Sequence, residues 1–239
     1  MLERMKRPAI LGTIVAAWLA VACFGAQRQE ALTIQRLTDN LFVIAGNGGN
    51  SAVFIHASGV VLVDTKFAGT GQRLLDQIKT VTDKAVTHII NTHSHFDHVG
   101  SNGFFPSHVE VIAHENAAGQ MPAREEFADP AAKHGLPDRT FKLTMTLLAG
   151  DDAIDLHYFG VAHTNGDAFV VFRKPRVLHA GDTFPGLNPV TRDGGSAEPY
   201  PATMSRAATL SGIDTVIPGH GPTATWQQFV DNARSLARR

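Results

Sequence analysis

Thr92-His93-Ser94-His95-Phe96-Asp97-His98-Val99-Gly100 stands one residue beyond the apolar run Ala85-Val86-Thr87-His88-Ile89-Ile90. Three imidazoles and a carboxylate therefore fall within six residues. Nitrogen and oxygen donors in this mixture suit borderline-soft divalent ions, zinc above all. In extended backbone or a tight turn, a spacing of two aims the rings of His93 and His95 the same way. Asp97 and His98 then point to a neighbouring position, which serves two metals better than one. The competing reading is a polar turn whose histidines only make hydrogen bonds. The density of ligand types argues against it.

Composition sets the frame for this cluster. The chain has 239 residues, 44% hydrophobic and 18% charged, within the range of a compact soluble domain. Lys plus Arg number 21 against 22 Asp plus Glu, for a formal net charge of -1. So even a balance gives no electrostatic reason to expect nucleic acid or an anionic membrane as partner. The expected partner is a small-molecule substrate, and the oligomeric state is not readable. Twelve histidines are many for this length and agree with metal binding.

Residues 1–22 read as an export signal. Met1 to Arg7 carries Arg4, Lys6 and Arg7 around Glu3, and Pro8 to Ala22 is apolar and uncharged. That run is short for a membrane span, and Ala20 and Ala22 at its end fit a cleavage site. Cleavage after Ala22 would leave Cys23, the only cysteine, as the first mature residue. Lipid anchoring through Cys23 is therefore open, although Ala20 stands where a lipobox usually has Leu. The expected location is exported, periplasmic or secreted. Residues 23–31 read as a linker and 32–239 as one domain.

Within that domain the pattern begins β-rich. Strands are expected at Leu32 to Ile34, Leu41 to Ile44, Ser51 to Ile55 and Val60 to Val63, with turn formers between. Gly46-Asn47-Gly48-Gly49-Asn50 reads as a mobile hairpin tip bordering the site, since no phosphate-loop fingerprint follows it. Leu74, Leu75, Ile78 and Val81 recur at helical spacing. A buried strand, Val86 to Ile90, then delivers the histidine cluster, and another is expected at Val109 to Ala113. Met121 to Pro137, interrupted by prolines, reads as a solvated helix pair or a lid.

The second half is expected to repeat the first in outline. Its strands fall at Arg139 to Thr144, Thr146 to Leu148, Ala153 to Phe159, Ala168 to Phe172, Val177 to His179 and Thr215 to Ile217. Helices are expected from about Glu198 to Leu210 and from Thr223 or Ala224 onward. Strand-rich halves with helices suggest two sheets packed face to face with helices outside.

Three further donors stand where strands end. They are His163 in Ala162-His163-Thr164-Asn165-Gly166-Asp167, Asp182 in Leu178-His179-Ala180-Gly181-Asp182-Thr183, and His220 in Pro218-Gly219-His220-Gly221. A nearby glycine in each lets the backbone turn sharply into a cleft. Singly each is weak, but together they supply what two metals at the first cluster lack.

The ordered set H-x-H-x-D-H, then His163, Asp182 in a G-D-T context and His220 in P-G-H-G resembles the metallo-β-lactamase superfamily, over 32–239. That resemblance implies an α+β fold, a four-layer αββα sandwich in a single domain, with a dimetal site at one edge between the sheets. It implies two Zn2+ per chain. His93, His95 and His163 would hold the first, Asp97, His98 and His220 the second, and Asp182 would bridge them. Asp97 would also act catalytically by orienting a metal-bound hydroxide. Asp64 is the candidate outer partner that fixes an imidazole. The remaining histidines, His179 among them, read as structural or surface groups.

Superfamily β-lactamases carry Cys or Ser where this chain has Asp182. Those with Cys commonly have Lys three positions later, where Pro185 stands here. An aspartate bridge is more similar to the glyoxalase II, lactonase, ribonuclease Z and phosphodiesterase branches. The expected activity is hydrolysis of an ester, thioester or lactone-type bond. The alternatives are a β-lactamase acting on β-lactam antibiotics, and a metal-binding or iron-dependent non-hydrolytic member of the same fold.

Overall fold

The computed structural model describes residues 30–238. The expected export signal and most of the linker lie outside the described residues. The chain folds into two sheets face to face, with helices on both outer surfaces. The first sheet has seven strands in sequential order. They are β1 (Thr33–Arg36), β2 (Leu41–Ala45), β3 (Ser51–His56), β4 (Gly59–Val63), β5 (Val86–Ile90), β6 (Glu110–His114) and β7 (Arg139–Phe141). The second comprises β8 (Thr144–Leu147), β9 (Ile154–His157), β10 (Phe169–Phe172), β11 (Val177–Gly181), β12 (Thr215–Pro218) and β13 (Ala224–Thr225), ordered β13-β12-β11-β10-β9-β8.

Alternation within the strands explains the layers. Side chains of a strand point to opposite faces in turn, so a strand covered on both faces is apolar throughout. In β4, Val61 and Val63 enter the core between the sheets, while Val60 and Leu62 face outward. There they meet Leu74 and Ile78 of α1 (Gly71–Lys79). In β10, Val170 and Phe172 point inward, and Phe169 and Val171 face the helices. Those helices are α4 (Tyr200–Ala207), through Tyr200 and Met204, and α5 (Trp226–Leu236), through Phe229 and Leu236. The α5 start is set by a capping box in which Thr225 and Gln228 satisfy each other's backbone donors.

Two short helices lie nearer the histidine cluster, α2 (Phe96–Val99) and α3 (Glu115–Gln120). Three expectations need correction here. The segment expected from Arg139 to Thr144 stops at Phe141 and completes the first sheet beside β6, so the halves are not simple repeats. Leu143, 69% exposed, lies in the crossing to β8. Met121 to Pro137 does not form a helix pair. It is three short 3-10 turns, anchored by Met121 and Phe127 against Val99. The hairpin tip at Gly46 to Asn50 borders the site as expected but is tied down. Lys66, fully buried, donates its Nζ to the Ile44 and Gly49 carbonyls at 2.9 and 2.7 Å.

The sheets meet through Phe54 and Phe172, whose ring centroids lie 5.4 Å apart, both rings fully buried. Phe54→Ala is expected to cost about 3–5 kcal/mol, because the cavity adds to the lost burial. Urea unfolding should show this as a lower midpoint at unchanged slope.

Candidate metal centre

The parallel strands β4, β5 and β6 all end at the same edge. The parallel pair β11 and β12 reaches that edge from the second sheet. Ligand-bearing loops of open parallel sheets gather at such carboxyl ends. Here the loop after β5 carries His93 and His95, and α2 carries Asp97 and His98. The loop between β9 and β10 carries His163, Asp182 follows β11, and His220 follows β12.

All seven side chains converge in two groups of donor atoms. His93, His95, His163 and Asp182 form one, and Asp97, His98 and His220 the other, with the donors in each within 4.8 Å of one another. In the first, His95 Nδ1 lies 3.0 Å from both His93 Nε2 and His163 Nε2. In the second, His220 Nε2 is 3.1 Å from Asp97 Oδ2 and 3.4 Å from His98 Nε2. Asp182 stands between them. Its Oδ2 is 3.4 Å from His163 Nε2, and its Oδ1 is 3.2 Å from His98 Nε2.

The outward nitrogens determine which tautomer each ring adopts. His95 Nε2 donates to the Asp193 carboxylate at 2.9 Å, and His163 Nδ1 donates to the Asn188 carbonyl at 2.6 Å. Neither acceptor can donate back, so the inward nitrogens of neutral His95 and His163 carry bare lone pairs. His93 reaches the same state through a relay. The Thr92 hydroxyl donates to Asp64 Oδ2 at 2.7 Å and so must accept from His93 Nδ1 at 3.0 Å. Burial pushes all three pKa values down, that of His93 well below the ordinary value. Three neutral imidazoles thus aim lone pairs at one small volume, and Asp182 Oδ1 is buried without a hydrogen-bond partner. A divalent cation satisfies every one of these groups, so the residues present fit a metal site.

Asp64 plays the outer role expected of it. Fully buried at the end of β4, it accepts from the Thr92 amide at 2.8 Å and from His98 Nδ1 at 2.7 Å. Two glycines fit only because they lack a side chain. A Cβ on Gly49 would strike the His98 ring, and one on Gly219 would strike Asp182 Oδ1. Burial would lower the His98 pKa, yet the carboxylates of Asp64 and Asp182 hold it well above the ordinary value. The carboxylates of Asp182 and Asp97 beside the His220 ring raise its pKa to about 9. For Asp182 burial works upward, but His220 and His98 keep its carboxyl far below the usual carboxylate range.

Sequence reasoning missed two supports. Asp193, in the loop before α4, holds His95 and is itself gripped by Arg124 at 2.9 Å. Asn50 bridges the sheets. Its amide donates to Gly219 O at 2.6 Å, its side chain to Pro218 O and Gly221 O at 2.9 Å each, and its carbonyl accepts from His179 Nε2 at 3.1 Å. His179 is thus structural, as expected. No local pattern marks Asp193 or Asn50, since their partners are far away in sequence. Phe67 and Phe96 remain exposed at the rim, ring centroids 5.5 Å apart.

A family model described as the metallo-beta-lactamase superfamily matches residues 45–220, a span enclosing all seven donors. The chain belongs to that superfamily. Among similar proteins, metallo-beta-lactamase domain-containing protein 1 of Mus musculus is 29% identical over 204 residues, covering 80% of this chain and 71% of that protein. The Xenopus laevis protein of the same name is 29% identical over 72% of this chain and 70% of its own. Among solved structures, a metallo-beta-lactamase from Pontibacter korlensis aligns with TM-score 0.73 at 20% identity, over 87% of this chain and all of that one. The DIM-1 metallo-beta-lactamase aligns with TM-score 0.70 at 19% identity, over 87% and 99%. Both establish the two-sheet sandwich of the superfamily for this member.

Metals bind deprotonated imidazoles, and in the metal-free site His98 and His220 hold protons at neutral pH. Loading the superfamily member with a divalent metal near pH 7 is therefore expected to release on the order of two protons per chain. The release should shrink as pH rises through about 9, as His220 loses its proton before the metal binds. A pH-stat titration in weak buffer measures it.

Proposed function

We propose that this protein is a zinc-dependent hydrolase that holds two zinc ions and cleaves an ester, thioester or lactone-type bond in a small-molecule substrate. The observation that carries the reading is Asp182, whose two oxygens face the two donor groups separately. Two donor groups sharing one carboxylate would hold a pair of metal ions. Imidazoles and carboxylates, with no thiolate among the donors, favour zinc over softer ions. When bound, such ions would polarise a carbonyl oxygen and lower the pKa of a water towards about 7.

The chain's own residues supply the rest. Asp193, Asn188, Thr92 and Asp64 hold four imidazoles in fixed orientation, so no ring must reorient during reaction. Burial tends to raise the Asp97 pKa, but His220 and His98 keep it below the ordinary value. Asp97 is thus ionised at neutral pH, and its side chain, 15% exposed beside His220, can accept a hydrogen bond from an attacking water and so orient it. An aspartate at 182 and proline at 185, where the lactamase branch has Cys or Ser and Lys, support ester or lactone chemistry over lactam hydrolysis. The charged start and apolar stretch of residues 1–22 support action outside the cytoplasm.

Zinc-loaded protein assayed on lactones, esters, thioesters, phosphodiesters and nitrocefin-type lactams tests the proposal. Turnover of the first three above lactams is the expected result, and a preference for lactams would overturn the ester and lactone assignment. Asp97→Ala is expected to lower kcat by about 10²–10⁴-fold with far-UV circular dichroism unchanged. Undiminished turnover would overturn its role. Asp193→Ala should weaken zinc binding by about 10–100-fold, read by competition with a chromophoric chelator.

A further inference from the structure

Lys66 carries two costs at one position. Its φ of 66° lies in the left-handed region that side chains rarely adopt, and the residue is fully buried. Burial draws its amine down to about 7, although Asp64 pulls the other way. Glycine would take the same backbone without strain, so an outlier of this kind argues that the side chain is kept for a task. That task is visible in its partners. Nζ donates to the Ile44 carbonyl at 2.9 Å and to the Gly49 carbonyl at 2.7 Å. Ile44 lies at the end of β2 and Gly49 just before β3, so one amine ties the two arms of the hairpin tip together.

What the tied tip touches is the second donor group. The Gly49 amide donates to the Asp97 carbonyl at 2.9 Å, and the main chain of Gly49 is pressed so closely on the His98 ring that a Cβ would collide with it. The Asn50 amide fastens the tip to the carbonyl of Gly219, next to His220. From the other side Thr65, the residue before Lys66, donates its amide to the His98 carbonyl at 2.7 Å. The three histidines of the first group depend on other supports, Thr92, Asp193 and Asn188.

We infer that Lys66 is a positioning residue for the second metal: it holds the hairpin tip against Asp97 and His98, and so sets that half of the centre without acting on the first. The inference rests on the two-metal reading above.

The test compares the full chain with Lys66→Gly and Lys66→Met. Glycine relieves the backbone and lets water reach the two carbonyls, whereas methionine keeps the volume and removes only the donors. Circular dichroism checks that each folds, and either alone carries the test. In zinc-free wild type an NOE between the Gly49 α protons and His98 Hε1 is expected, together with a slowly exchanging Gly49 amide. In the variants the NOE should weaken and the exchange should rise by about tenfold or more. Zinc is then titrated against a chromophoric chelator. The second equivalent is expected to bind about 10–100-fold more weakly in the variants, with the first unchanged. His220→Ala, which lacks a donor of the second group, gives the reference, and adding Lys66→Gly to it should leave its remaining zinc unaffected. Equal weakening of both zincs would mark a general structural role and overturn the inference. So would a second zinc, or a Gly49 NOE, indifferent to the loss of the amine. If wild type takes up one zinc only, yet the NOE and the exchange respond as described, the two-metal reading fails and Lys66 keeps its positioning role at His98.

Discussion

Lone-pair repulsion is the constraint on which this structure turns. His93, His95 and His163 are buried, neutral, and fixed so that their bare nitrogens face one another at 3.0 Å. Nothing in a purely hydrophobic account of folding would bring them together. Each is held by an outward hydrogen bond, and each outward partner is itself constrained by further bonds. Asp64 stands at the root of one such chain, gripping the Thr92 amide, the Thr92 hydroxyl and His98 at once. Asp193 anchors another through Arg124. The site is thus stiff before any cation arrives, and the cost of that stiffness is carried by the two apolar layers behind it.

The fold reconciles apolar packing with this polar edge by using strands covered on both faces. Val60 to Val63 alternates its side chains between two layers, and Val170 to Phe172 does the same in the second sheet. Strands so deeply buried need their polar residues confined to their ends. Parallel pairing of β4, β5 and β6, and of β11 with β12, sends those ends to one edge. The position of the site therefore follows from how the core is packed.

Much of this was legible in the chain. The histidine cluster announced itself by density, and strands such as Val60 to Val63 by unbroken apolar runs between turn residues. The α5 start expected at Thr223 or Ala224 falls a little before the Thr225–Gln228 capping box that sets it in the fold. What could not be read depends on partners distant in sequence. Asp193 meets His95 across 98 positions, and Asn50 meets Pro218 across 168. The 139–141 strand was visible as a strand, but its sheet was not, since edge pairing with β6 leaves no trace in a three-residue pattern. Nothing local singles out Lys66, and only the folded chain buries its amine under the hairpin.

The hairpin tip and the loop after β12 share Asn50, so the two sheets are clasped at the same edge where the donors gather. His98 and His220, brought within 3.4 Å, come from opposite sheets and lie 122 positions apart. A divalent ion gripping both would act as a rivet through the sandwich. Occupancy would then add a second tie between the sheets beside the one that Asn50 already makes. Chelation would loosen this margin before it disturbed the interior.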